Sequence, residues 1–355
     1  MPTTPRQPSH NRVLYFVVLC LLAAGLAVAY VAWGRHSASP QSSAAPDGSV
    51  VDDPARLAAV ASGPHVVFIN TKPGPGRGRI AIAPLNDVNG VRVLTPLRCE
   101  RVSAAPGAGV CLGADRGILT KYYAYTFDQH FAAGPRLPLQ GFPSRVRVSP
   151  DARYAGFTVF VSGDSYSTGS FSTRTVLIDV AKSRQIGELE QFTVLKDGQP
   201  LKRPDFNFWG VTFPHDTDRF YVTLGTGGQT YLAEGRISTK TITLVRDGVE
   251  CPAISPDDRR IVFKSRVMTG GRLTWRLHVY DLGSHAETVV AETRSVDDQA
   301  AWLDAEHVLY ALPQEPGGTG GLDTWVARAD GTGSPQRWLE NGYSPAIVTP
   351  LTAAR

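Results

Sequence analysis

A chain of 355 residues with a formal net charge of +4 and 42% hydrophobic residues has material for one large domain or two ordinary ones. Charge this mild, with no dense basic cluster, argues against nucleic acid as a partner. The 35 glycines and 26 prolines lack a collagen period and suit many short strands joined by turns. Of the four cysteines, Cys20 lies in an apolar N-terminal segment. Cys99 and Cys111 flank the turn Ala105-Pro106-Gly107 and so can face each other across a hairpin. A disulfide there belongs to an oxidising compartment; the alternative is two unrelated buried thiols. No C-x-x-C pair and no ligand-spaced histidine points to zinc, and neither a metal nor a cofactor is expected.

Met1 to Arg12 is polar and proline-rich. Val13 to Trp33 carries no charge over a length sufficient to span a bilayer as a helix. Arg6 and Arg12 precede it and Arg35 alone follows closely. The charge bias predicts a cytoplasmic tail (1–12), a transmembrane signal-anchor (13–33) and an extracytoplasmic remainder. The alternative is a signal peptide cleaved near Ala27-Val28-Ala29, which exports the same remainder. Residues 34–61 read as a flexible linker, Ser-, Ala-, Pro- and Gly-rich as far as Asp53, with a short helix at Pro54–Ala61 leading into the fold.

From residue 62 to 350 one unit recurs. Its template is Cys251–Ser255, the polar turn Ser255-Pro256-Asp257-Asp258, then Arg260–Lys264, Arg276–Leu282 and Glu287–Glu292. Proline presets the first turn angle and aspartate bonds the local backbone, so the first two runs form a hairpin. Four short antiparallel strands in about 45 residues make a β-propeller blade. Similar sets begin at Arg101, Val146, Phe208 and Gln299. The set at Val66–Asn70, Arg79–Pro84 and Val91–Thr95 lacks its first strand, whereas Ser344–Val348 stands alone at the far end and echoes Cys251–Ser255. The expected fold is therefore all-β: a propeller of about six blades after one N-terminal transmembrane helix, its ring closed when the C-terminal strand completes the first blade.

Ile254–Phe263 with Val279-Tyr280-Asp281, Val148–Phe157 with Leu177-Ile178-Asp179, and Asp323–Val326 with Ala329-Asp330-Gly331 resemble the TolB-type propeller repeat, also called the WD40-like Pro-Asp repeat. Glu250-Cys251-Pro252 and Ser295–Leu303 look like a membrane-anchored, actinobacterial-type TolB-like subgroup. The resemblance implies an extracytoplasmic platform for an envelope protein or peptide, held to the membrane through Val13–Trp33, and not an enzyme. The chain departs from periplasmic TolB in lacking the N-terminal α/β domain.

Few motifs carry chemistry. Gly163–Ser167 approaches a nucleophile elbow but lacks the second glycine. Gly225–Gly228 lacks the lysine of a phosphate loop, and Gly317–Gly321 reads likewise as a hairpin loop. Asp297, Asp298 and Gln299 form a polar group beside an innermost strand, fit for a cation or a basic peptide group, or else for a capped turn. Phe206, Phe208 and Trp209 are either peptide anchors at one channel end or blade packing. Cys251 opens an innermost strand, as a reactive thiol or a small buried hydrophobe. Asp151, Asp257, Asp258 and His215 belong to turns. The alternatives to a binding platform are a lyase or glycan-acting enzyme using channel carboxylates, and a ligand-sensing ectodomain.

Overall fold

The computed structural model describes residues 14–26, 49–161, 172–216, 218–315 and 317–350. A helix occupies residues 14–26, inside a unit spanning Met1–Ala45; the propeller lies in a second unit, Pro46–Arg355. The membrane assignment is corrected here. Among the described residues, no helix is long and apolar enough to cross a membrane. The cytoplasmic tail, the rest of the Val13–Trp33 segment and most of the linker lie outside the described residues, as does Gly163–Ser167. Neither the single-pass anchor nor the anchored subgroup is retained.

Six sheets form six blades, and in blades two, three, five and six the strands run in chain order from the ring outwards. Blade one comprises His65–Asn70, Arg79–Pro84 and Arg92–Arg98, and takes Gly342–Val348 as its innermost strand. That pairing is antiparallel, with His65 opposite Val348 and Asn70 opposite Gly342. The unpaired strand at each end of the repeat thus removes the other's free edge. Blade two is Arg101–Ala105, Ala108–Asp115, Lys121–Asp128 and Leu137–Leu139; blade three is Phe142–Val148, Tyr154–Val161, Ser172–Asp179 and Arg184–Glu188. Blade four is Asn207–Thr212, Arg219–Thr226, Gln229–Arg236 and Thr241–Asp247. Blade five is Glu250–Ile254, Arg260–Thr269, Arg272–Asp281 and Glu287–Val289; blade six is Ala301–Trp302, His307–Pro313, Leu322–Arg328 and Gln336–Leu339.

Two edges carry more than the repeat predicts. Residues expected in the linker are ordered: Val50–Val51 pairs in parallel with Arg92–Val93 of blade one, and Asp53 caps the helix Pro54–Ala61. Leu57 and Val60 of that helix pack on the blade-one core. The outer strand of blade three ends at Glu188, and Thr193–Lys196 instead joins blade four in parallel, followed by Gln199–Leu201.

Burial follows position in the blade. The second strand is covered on both faces by neighbouring blades, so His65–Asn70 is buried throughout and reads as a continuous apolar run. Outer strands such as Arg184–Glu188 keep their polar residues in solvent. Gly156 illustrates how tightly blades pack: a Cβ there would stand 2.9 Å from Val211 of the next blade.

Candidate functional site

The innermost strands of adjacent blades do not pair with each other, so their free backbone groups need side-chain partners. Hydroxyls supply them. Ser344 Oγ accepts the Val102 amide at 3.2 Å, Ser103 Oγ that of Val148 at 3.1 Å, and Thr212 Oγ1 that of Ile254 at 3.1 Å. Each hydroxyl belongs to one blade and each amide to the next. Trp302 Nε1 donates to Ala253 O at 2.9 Å in the reverse direction.

Four of these strands bulge near their starts, where the ladder register shifts at Ser144, at Trp209/Thr212, at Glu250/Ala253 and opposite Ser344. At the bulges Gly210, Cys251 and Ser344 have φ of 71°, 49° and 56°. Such angles cost a non-glycine residue on the order of 1–3 kcal/mol and need support from outside. The Cys251 amide donates to Thr223 Oγ1 at 2.8 Å, and Ser344 Oγ donates to Val102 O at 2.8 Å. At Gly210 a Cβ would stand 2.7 Å from Cys251 Cα, so the two blades can approach only because it is glycine.

In blade three, Arg145-Val146-Arg147 alternates. Val146 and Val148 join the core and both arginines turn into the channel. Arg147 Nη2 donates to Ala300 O at 2.8 Å and Arg145 Nη2 to Asp297 O at 3.5 Å. Blade three thereby reaches blade six, its opposite in the ring, and the side chains plug the channel. Burial draws the Arg147 guanidinium down to about 10, opposed by Asp298, which leaves it cationic at neutral pH. Burial acts on Arg145 in the same direction, but Cys251, Asp298 and Asp297 outweigh it and the net shift is upward.

Beside this plug lies a charged rim, on the face where innermost strands begin. The Glu250 and Lys264 side chains are each only 5% exposed. Lys264 Nζ pairs with Asp297 and stands 3.9 Å from Glu250, whose other oxygen takes Arg266 Nε. Lys264 Nζ also lies 4.8 Å from the Trp275 ring centroid. Two carboxylates from different blades therefore converge on one lysine between them.

The predicted residues divide. Asp297 sits at the rim with a 57% exposed side chain, and Asp298 lines the channel with Arg145 and Arg147. Gln299 is buried; its Nε2 donates to Val211 O and Pro252 O, both at 3.1 Å, and ties blade six to blades four and five. Phe208 is fully buried in the core between blades three and four, and Trp209 is 7% exposed and lies over Gly225. Phe208 is turned between blades and does not reach the channel mouth, and the Trp209 ring lies against its own blade. Cys251 is 2% exposed, held at its bulge. Cys99 and Cys111 are disulfide-bonded, with their Cα atoms 5.6 Å apart. Sequence reasoning missed Arg145, Arg147, Glu250, Lys264 and Arg266. The Arg-Val-Arg alternation on an innermost strand was the available signal for the first two. A separate, mainly apolar cavity of about 300 Å³ lies on the opposite face between blades one and two, lined by His65, Phe127, Phe131 and Val348 among others. None of the predicted residues reaches it.

The chain matches no known family profile and no curated protein. Solved structures do match. TolB from Acinetobacter baumannii superposes with a TM-score of 0.51 at 15% identity, covering 82% of this chain and 67% of that one. This chain has the fold of a TolB-like six-bladed β-propeller. A chain of a nidogen/laminin complex superposes equally, TM-score 0.51 at 10% identity, over 81% of this chain and 99% of the other. An oligogalacturonate lyase in complex with manganese is also among the similar structures, with TM-score 0.44 at 11% identity over 72% of this chain and 75% of that one. The expectation that this chain is not an enzyme is corrected, because the propeller architecture by itself does not separate binder from catalyst.

Proposed function

We propose that this propeller binds a protein or peptide of the cell envelope at the charged mouth of its channel, outside the cytoplasm. The observation that carries the reading is a rim charged in both signs over a plugged channel, so that a partner is met at the rim and not threaded through the ring. Asp297, Asp298 and Arg266 supply the polar contacts. Beside them the blade-five hairpin presents Met268 and Leu273, a cross-strand pair with exposures of 66% and 47%. Exposed apolar side chains flanked by charge make good peptide anchors. The Cys99–Cys111 bond supports an oxidising compartment.

Photo-crosslinking in intact cells tests this, with a photoreactive amino acid at Met268, at Asp297 and, on the opposite face, at Lys240. The two mouth positions should trap one recurring segment of an envelope protein, and Arg266→Glu or Asp297→Lys should weaken the trap at least several-fold. Equal trapping from Lys240, or yields untouched by the charge reversals, would sink the reading.

A further inference from the structure

Beneath the rim the channel keeps a cavity of about 20 Å³, lined among others by Arg101, Arg145, Arg147, Asp298, Gln299 and Ser344. That is room for one particle the size of a water molecule. Three guanidinium groups face it against one carboxylate. Arg101 Nε donates to Ser144 O at 2.7 Å, and Arg147 donates once, to Ala300 O. Among the described residues neither has a carboxylate oxygen within 4.0 Å, and Arg145 has only Asp297, at 3.9 Å. Asp297 is itself engaged by Lys264, and Glu250 by Lys264 and Arg266. The Nε atoms of Arg145 and Arg147 are both buried without a hydrogen-bond partner. A guanidinium carries five donors and stays charged, so unpaired donors and excess buried positive charge are both costly.

We infer that this cavity is a binding site for a single monoatomic anion, a halide, held by Arg145 and Arg147. One such ion meets the two orphan donors and offsets the surplus charge, where a neutral water would do only the first. The small volume favours a monoatomic ion over a bulkier carboxylate or phosphate. The anion fastens blade three to blade six through the arginines that already span the ring. The inference stands independently of any protein partner.

Two measurements on the full chain test it. Crystals soaked in bromide should show an anomalous peak between the Arg145 and Arg147 guanidiniums. In solution, the melting temperature should climb with chloride concentration and not with gluconate at equal ionic strength, because an ion that binds only the folded state stabilises it by mass action. Arg147→Met should abolish both the peak and the chloride dependence. Arg147→Lys, which keeps the cation, serves where the methionine variant does not fold, and should retain chloride dependence with weaker affinity. An ordered water with no bromide peak would overturn the inference. So would chloride dependence that survives Arg147→Met unchanged.

Discussion

The two faces of the ring are built on opposite principles. On the turn face, blades three and five close their first hairpins from within, although Asp258 also accepts from His215 of the blade-four turn. Ser255 Oγ donates to Asp257 and accepts the Arg260 amide at 2.9 Å; Ser149 Oγ donates to Asp151 at 2.6 Å and accepts the Tyr154 amide at 2.9 Å. Asp258 and Ala152 take the same positive φ in the two turns, 57° and 56°. Everything needed lies within six consecutive residues. On the mouth face, by contrast, partners come from different blades. Lys264 finds Asp297, Arg147 finds Ala300, and Arg101 finds Ser144. A local network forms wherever its sequence occurs, whereas a network of distant charges exists only once the ring has closed.

That contrast can be broken most violently by opening the ring. Truncation after Asn341 removes Gly342–Val348 and exposes the buried strand His65–Asn70. The propeller should lose its cooperative melting transition in calorimetry, and with it the mouth. Next in size, Lys264→Met leaves Glu250 buried with half its compensation. The expected loss is about 3–5 kcal/mol, read by urea denaturation. Replacing Cys99 and Cys111 by serine cuts a cross-link at the mouth face between blades one and two. The expected cost is about 3 kcal/mol for a loop of this size, with no change under reducing conditions in the variant. On the turn face, Ser255→Ala should cost only about 1 kcal/mol, since one short-range network is lost and the ring survives. A result as large as that for Lys264→Met would mean the turn supports more than its own hairpin.

A pH-dependent effect lies away from both faces. Burial raises the Glu190 carboxyl to about 8, although it accepts the Thr175 amide at 3.1 Å. The folded chain then holds a proton that the unfolded chain releases near the ordinary carboxylate range. Its contribution to stability is full below about pH 4.5 and is lost as the pH rises towards 8. Glu190→Gln should flatten that slope in melting curves recorded from pH 5 to 8.

Sequence by itself determined the repeat, the count of blades and the closure by Ser344–Val348. Those rest on two local codes: the polar turn after an innermost strand, and apolar runs whose length suits a strand buried on both sides. The same reasoning reached Asp297 and Asp298 because they adjoin such a strand. It placed Phe208 at the mouth when its ring packs between blades, since alternation tells which residues share a side and not which side faces the channel. It gave Gln299 no structural task, and could not do so, because Val211 and Pro252 come from two other blades. Reading Val13–Trp33 by hydropathy alone predicted a membrane anchor that the described residues do not support. Only the tertiary structure decided which charges meet, for a physical reason. An ion pair between residues 33 positions apart, or a guanidinium spanning blade three to blade six, draws its energy from groups whose separation is set by the closed ring. No stretch of chain contains that distance.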